Sequence, residues 1–234
     1  MVNEDKVIEN YKNAMSRLET ALEESGRSIK DVLVIGASKT MPLERILFVR
    51  DNTDVKIFGE NRVQELLEKY TPDVRWHFIG QLQTNKVKYI IDKVELIHSV
   101  DRISLLQEID RQAKKHGKVQ DILIEVNIGG EEKKGGVAPA EVIDFAKEVD
   151  KYPSVRLKGL MSVLPNVEKD VLNAFYLQLS KLYDTLKQTR LDNADIRYLS
   201  AGMSNDYDVA VKYGANIVRL GRALFGEREV ITNG

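Results

Sequence analysis

Residues 32–40 read VLVIGASKT and residues 55–61 read VKIFGEN; each is a short run rich in Val and Ile that breaks off into small and polar residues. Such runs suit strands buried on both faces. The signature returns as WHFIG from Trp76, ELIHS from Glu95, ILIEVNI from Ile122, LKGLMSV from Leu157, IRYLS from Ile196 and IVRLG from Ile217. Longer segments of helical period lie between them: Leu105, Ile109 and Ala113 share one face, as do Phe175, Leu179, Leu182 and Leu186. A leading amphipathic segment aligns Val7, Tyr11, Met15, Leu18 and Leu22 and stops at Gly26. Eight strand candidates, each followed by a helix, predict an α/β fold of parallel strands with helical crossovers. The simplest closed solution is a (β/α)8 barrel; an open doubly wound sheet has the same alternation, and periodicity does not separate the two.

The barrel typically needs about 250 residues, so a chain of 234 leaves little for anything else. No linker interrupts it, and residues 1–234 are expected to form a single domain. With 43% hydrophobic and 30% charged residues and a mean hydropathy of -0.31, the chain can bury a core and keep a solvated surface, which excludes intrinsic disorder. A net charge of -1 supplies no field to attract nucleic acid or an anionic membrane. Zero cysteines exclude disulfides, thiolate metal sites and a cysteine nucleophile. The first residues, MVNEDKVIENYK, contain no apolar stretch of the signal-peptide kind, and no run approaches a bilayer span. A cytoplasmic protein is expected.

In this architecture ligands sit at the carboxyl ends of the strands, with phosphate often held after strands seven and eight. Those ends carry Lys39; Glu60 and Asn61; His77 and Gly80; His98 and Ser99; Asn127; Met161 and Ser162; SAGMSND from Ser200; and Arg219 with Gly221. Ser204 at an expected helix start, Gly221 and the backbone amide of Arg222 would together cradle a phosphate ester. Taken singly, Gly202 and Gly221 read as turn glycines and Ser204 as an N-cap; it is their occurrence in consecutive loops that raises the phosphate reading beside this one. A lysine leaving a strand into a closed pocket can be desolvated, which frees its amine to attack an aldehyde. Lys39 is the candidate, and an exposed surface lysine is its ordinary alternative. Pyridoxal 5'-phosphate (PLP) carries both an aldehyde and a phosphate and would join the two features.

His77, His98 and His116 lack metal-ligand spacing, and neither a dinucleotide fingerprint nor a P-loop is present. His77 either borders a ligand ring or is a satisfied core histidine. The polar stretch GGEEKKGG, residues 129–136, reads as a loop after the fifth strand.

ASKT around Lys39, FGENRVQE from Phe58, WHFIGQLQTNK from Trp76, HSVDR from His98, KGLMSV from Lys158, LSAGMSND from Leu199 and VRLGRALFG from Val218 occur in order along nearly the whole chain. Together they resemble the pyridoxal phosphate homeostasis protein family, also called the YggS/PROSC family. The resemblance implies a modified TIM barrel similar to the N-terminal domain of alanine racemase, holding PLP as a Schiff base on Lys39. It implies phosphate binding by Ser204 and the Gly221–Arg222 backbone, and Arg219 facing the pyridine nitrogen. Asn61, His77 and Met161 would line the pocket. The chain departs from the family pattern at Arg62, Ala201 and Arg222; at the last, a guanidinium stands where a hydroxyl is usual.

A permanently charged arginine at the ring nitrogen would leave that nitrogen unprotonated and any carbanion poorly stabilised. Storage or delivery of PLP in vitamin B6 homeostasis therefore fits better than turnover, with PLP-dependent apoenzymes as possible recipients and a monomer as the expected state. The competing readings are a PLP-dependent racemase-like enzyme and a cofactor-free Schiff-base aldolase acting on sugar phosphates.

Overall fold

The computed structural model describes residues 4–131 and 134–227. Its elements run α1 (Glu4–Glu23), β1 (Leu33–Ala37), α2 (Leu43–Asn52), β2 (Ile57–Glu60), α3 (Val63–Lys69), β3 (Arg75–Phe78), α4 (Val87–Ile90), β4 (Leu96–Val100) and α5 (Ile103–Lys115). They continue with β5 (Gln120–Glu125), α6 (Val142–Val149), β6 (Val155–Met161), α7 (Lys169–Gln188), β7 (Ala194–Ser200), α8 (Tyr207–Lys212), β8 (Ile217–Leu220) and α9 (Arg222–Phe225). The strands form a closed parallel barrel in sequence order. Closure is made by β1 on β8, with Leu33 opposite Ile217 and Gly36 opposite Leu220. That pairing excludes the open sheet.

Side chains alternate across each strand, so the barrel has two apolar surfaces. Ile35, Ile57, Leu96, Leu123, Met161 and Ile217 pack together as one cluster inside it. Phe58, Trp76, Phe78 and Ile97 belong instead to the larger cluster shared with the helices. This double burial explains why the strands read as continuous apolar runs. A register shift interrupts the β5–β6 ladder: Ile122 pairs with Leu157, but Leu123 pairs with Gly159. The extra residue is Lys158, which is buried and reaches Asp195 at 2.5 Å.

The outer ring differs from expectation in three details. In α7 the buried residues are Tyr176, Leu179, Tyr183 and Leu186, with Phe175 and Leu182 only partly buried. The tyrosines bury their rings while keeping a polar end, so apolarity alone misplaces the stripe by one residue. In α1, Ala14 and Ala21 are buried, whereas Tyr11 and Met15 pack at the margin. β5 ends at Glu125, two residues short of Asn127, because the chain turns there and Val137 returns to bridge Val126. Among the described residues no helix is long and apolar enough to cross a membrane.

Candidate functional site

The carboxyl ends of β1, β7 and β8 and the segment after β6 enclose a cavity of about 590 Å³. Lys39, Asn61, Ser204, Arg219, Gly221 and Arg222 all line it. Six of the eight predicted site residues therefore meet in one place. The remaining two do not line this cavity. Met161 is packed in the barrel's inner cluster, and His77 is buried within the barrel, bonded to His98.

Lys39 is half-buried two residues beyond the end of β1. Its amine has no hydrogen bond or ion pair among the described residues, unusual for a lysine inside a cavity rim. Thr40 follows it with φ 66°, and it alone among the described non-glycine residues has a positive φ. A β-branched residue in that region is strained.

Ser204 does not cap α8, whose N-cap is Asp206. Its Oγ instead accepts the Ala223 backbone N–H at 3.0 Å, tying the β7 loop to the first turn of α9. Gly221 is the N-cap of that turn. The Arg222 guanidinium turns toward Asn205 Oδ1 at 3.1 Å and Glu227 at 3.8 Å, with half of its side chain exposed. Its charge thus lies at the rim beside the cradle.

Arg219 is a cation buried to 3% exposure, and among the described residues no carboxylate pairs with it. Neutral oxygens hold it: Nη1 donates to Ser200 O at 3.0 Å and Ser200 Oγ at 2.6 Å, and Nη2 donates to Ser162 O at 2.9 Å. Burial draws its pKa down, offset by Tyr176, Glu125 and Asp206; a guanidinium stays charged regardless. From Ser200 a chain of contacts runs down the barrel. His98 Nδ1 lies 3.0 Å from Ser200 Oγ, and His98 Nε2 lies 3.0 Å from His77 Nδ1. Burial pushes His77 down to about 4 and His98 well below the usual imidazole range. Both rings are neutral at physiological pH.

A second cavity of about 300 Å³ shares Asn61, Ile79 and Val163 with the first and contains Glu125. Burial, then the nearby Asp101, pushes this carboxyl up to about 7, against the pull of Arg219. The sequence signal for Glu125 is an acid within the apolar run ILIEVNI. Among the described residues no group of three or more metal-ligating side chains is placed to hold an ion.

The donor set suits one class of ligand. An unpaired primary amine answers an aldehyde; hydroxyl and amide groups at two adjoining turns, with Arg222 at the rim, answer an anionic ester; a buried guanidinium answers a ring acceptor. Fold and site together define a barrel of the alanine racemase N-terminal type with a PLP-compatible cavity, and the family model "Alanine racemase, N-terminal domain" matches residues 4–229. The pyridoxal phosphate homeostasis protein of Aquifex aeolicus is 45% identical over 228 residues, covering 94% of this chain and 98% of that one. An unknown protein from Bifidobacterium adolescentis has a crystal structure with a TM-score of 0.89 at 31% identity, covering 95% of both chains. PipY of Synechococcus elongatus PCC7942, solved with PLP bound, has a TM-score of 0.79 at 29% identity, covering 94% of this chain and all of that one. The chain belongs to the pyridoxal phosphate homeostasis protein family.

Proposed function

We propose that this protein binds PLP in the larger cavity and serves intracellular PLP homeostasis as a carrier, not as an amino-acid-converting enzyme. The observation that carries the reading is the unpartnered Lys39 amine opening into a cavity walled by Arg219 and by the Ser204 and Gly221 turns. Bound PLP would supply an electrophilic aldehyde for reversible covalent capture. Lys39 is the residue to form that bond. Ser204, Gly221 and the Arg222 backbone would receive the phosphate, Asn61 would border the ring, and Arg219 would face its nitrogen. His77 and Met161 act from behind, His77 through His98 and Met161 by filling the barrel beneath the site.

Arg219 also argues for carriage over turnover. Its fixed positive charge opposes protonation of a facing ring nitrogen and so weakens the ring as an electron sink. The names of the family relatives and the PLP bound by PipY support the same reading. Release to PLP-dependent apoenzymes, a monomeric state and a cytoplasmic location complete the proposal. Borohydride reduction of PLP-treated protein followed by peptide mass spectrometry is the test. A pyridoxyl group on the Lys39 peptide, absent from Lys39→Ala, is expected; labelling elsewhere, or undiminished labelling of the variant, contradicts the assignment. Robust conversion of L-alanine or another amino acid would restore the racemase-like reading.

A further inference from the structure

We propose that Lys69 is a positioning residue for Lys39: together with Glu60 and Glu65 it fixes the backbone on both sides of the reactive lysine and so aims its amine into the cavity. The inference rests on the role of Lys39 just proposed. Lys69 is the last residue of α3, and its side chain is only 11% exposed. Its ammonium has three acceptors, matching its three protons: Glu60 Oε1 at 2.9 Å, Ser38 O at 3.1 Å and Glu65 Oε2 at 3.3 Å. Ser38 immediately precedes Lys39, and its own hydroxyl donates to the same Glu60 oxygen at 2.7 Å. Thr40 immediately follows, and its backbone N–H donates to the same Glu65 oxygen at 2.8 Å. One cation thus anchors both neighbours of Lys39 through two carboxylates.

A pair that merely pinned α3 to β2 would need Lys69 and Glu60 alone. It would not require Lys69 to grip the Ser38 carbonyl, nor Glu65 to reach the amide of Thr40. Those additional bonds fall on the two residues that flank Lys39, and one of them ends on Thr40, which alone among the described non-glycine residues is held at positive φ. Strained backbone persists where surrounding structure over-determines it, and it concentrates where function needs a particular direction. The clamp supplies that over-determination. Glu60 is wholly buried, its pKa raised by desolvation against the pull of Lys69 and Ser38. Its Oε2 has no partner. The arrangement costs desolvation of a carboxylate, which a simple staple between helix and strand would avoid with apolar groups.

The test follows covalent labelling of Lys39 over a series of PLP concentrations in the wild-type chain, Lys69→Met, Lys69→Arg and Glu65→Gln. Saturation separates initial binding from the limiting rate of bond formation, and borohydride trapping with mass spectrometry reads the adduct. Lys69→Met and Glu65→Gln are expected to lower the limiting rate tenfold or more while the half-saturating concentration stays within about twofold. Lys69→Arg is expected to recover part of the rate. Glu65→Gln keeps the buried Lys69–Glu60 pair and the Lys69–Ser38 bond and weakens only the contacts of Glu65 itself, with the Thr40 amide and with Lys69, so it decides the matter should Lys69→Met fail to fold. Wild-type limiting rates in Glu65→Gln, or a loss confined to half-saturation and thermal stability, would overturn the inference. Absence of any Lys39 adduct in the wild-type chain would overturn the carrier reading as well, so the two failures are distinct.

Discussion

Arg219 Nη1 and Ser200 Oγ meet at 2.6 Å inside the barrel, and this contact heads a chain of polar groups that runs through His98 and His77 toward Glu95. The guanidinium can only donate. Ser200 Oγ therefore accepts, and its own proton is free for His98 Nδ1 at 3.0 Å. When Ser200 donates, His98 carries its proton on Nε2 and donates to His77 Nδ1, which turns the His77 Nε2 proton toward the Glu95 carboxylate at 3.9 Å. A carboxylate can only accept, so Glu95 at the far end favours this proton order over its reverse. Ser200→Ala breaks the chain at its first link, leaving His98 Nδ1 without its donor and Arg219 with one acceptor fewer. Each orphaned buried group costs about 1–3 kcal/mol, so urea denaturation at neutral pH should show a loss within that range. An unchanged midpoint would mean the chain carries no energy.

Acid should unfold the protein through the same two rings. Burial lowers the folded-state pKa of His77 from 6.5 to about 4, whereas the unfolded chain takes up the proton near 6.5. Below that value the unfolded state binds more protons, so stability is complete above pH 6.5 and falls as pH drops toward 4. At about 1.36 kcal/mol per pH unit, His77 alone accounts for roughly 3 kcal/mol across this window. His98 acts in the same direction. Replacing both with glutamine should flatten the acid limb of a stability-pH curve and lower the plateau at pH 7–8, since the bonds to Ser200 would be weakened. Retention of the wild-type slope would place the titrating groups elsewhere.

Glu125 should act with the opposite sign. Its folded pKa is raised from 4.5 to about 7, chiefly by burial, so the folded state holds a proton that the unfolded chain has released. The stability it contributes is fully present below pH 4.5 and is lost as pH rises through 7. By pH 8 the ionised carboxylate opposes folding. Glu125→Gln removes the charge and keeps the shape, and should stabilise the protein by roughly 1–3 kcal/mol at pH 8 with little change at pH 5. Denaturant titrations at the two pH values would expose the difference, and equal gains at both would disprove the titration argument.

The parts of this molecule legible in the sequence are those written as local pattern. Continuous apolar runs mark most of the strands because both of their faces are buried, β7 with its exposed Arg197 being an exception, and residues at the strand ends converge because closure brings those ends together. Lys39, Ser204 and Gly221 could be found this way. The clamp could not: Lys69 carries no signal, as a lysine ending a helix is ordinarily a solvated charge, and only the packing of α3 on β2 brings it to Ser38. His77 and His98 lie 21 residues apart and Ser200 a further 102 along the chain, so their contact depends on barrel register rather than motif. Tyr176 and Tyr183 are buried without a matching signal for a simpler reason: amphipathic rings escape a binary apolar pattern.

Two glycines offer a matched measurement of what barrel closure demands of the backbone. Gly26 and Gly159 both have positive φ, at 68° and 143°. A Cβ on Gly26 would meet nothing within 4 Å, whereas one on Gly159 would lie 1.8 Å from the Tyr198 carbonyl oxygen. That oxygen belongs to the neighbouring strand, at the point where Gly159 pairs with Tyr198 after the register shift in β6. Gly26→Ala therefore carries only the left-handed penalty, about 1–2 kcal/mol. Gly159→Ala adds a backbone clash that no side-chain rotation relieves, and its cost should exceed about 4 kcal/mol, the range in which point substitutions are exceptional. Urea denaturation of the two variants should give a small shift for the first and a poorly folded or insoluble product for the second. Near-equal losses would show that β6 can slide away from β7, and that the bulge at Lys158 is adaptable rather than fixed.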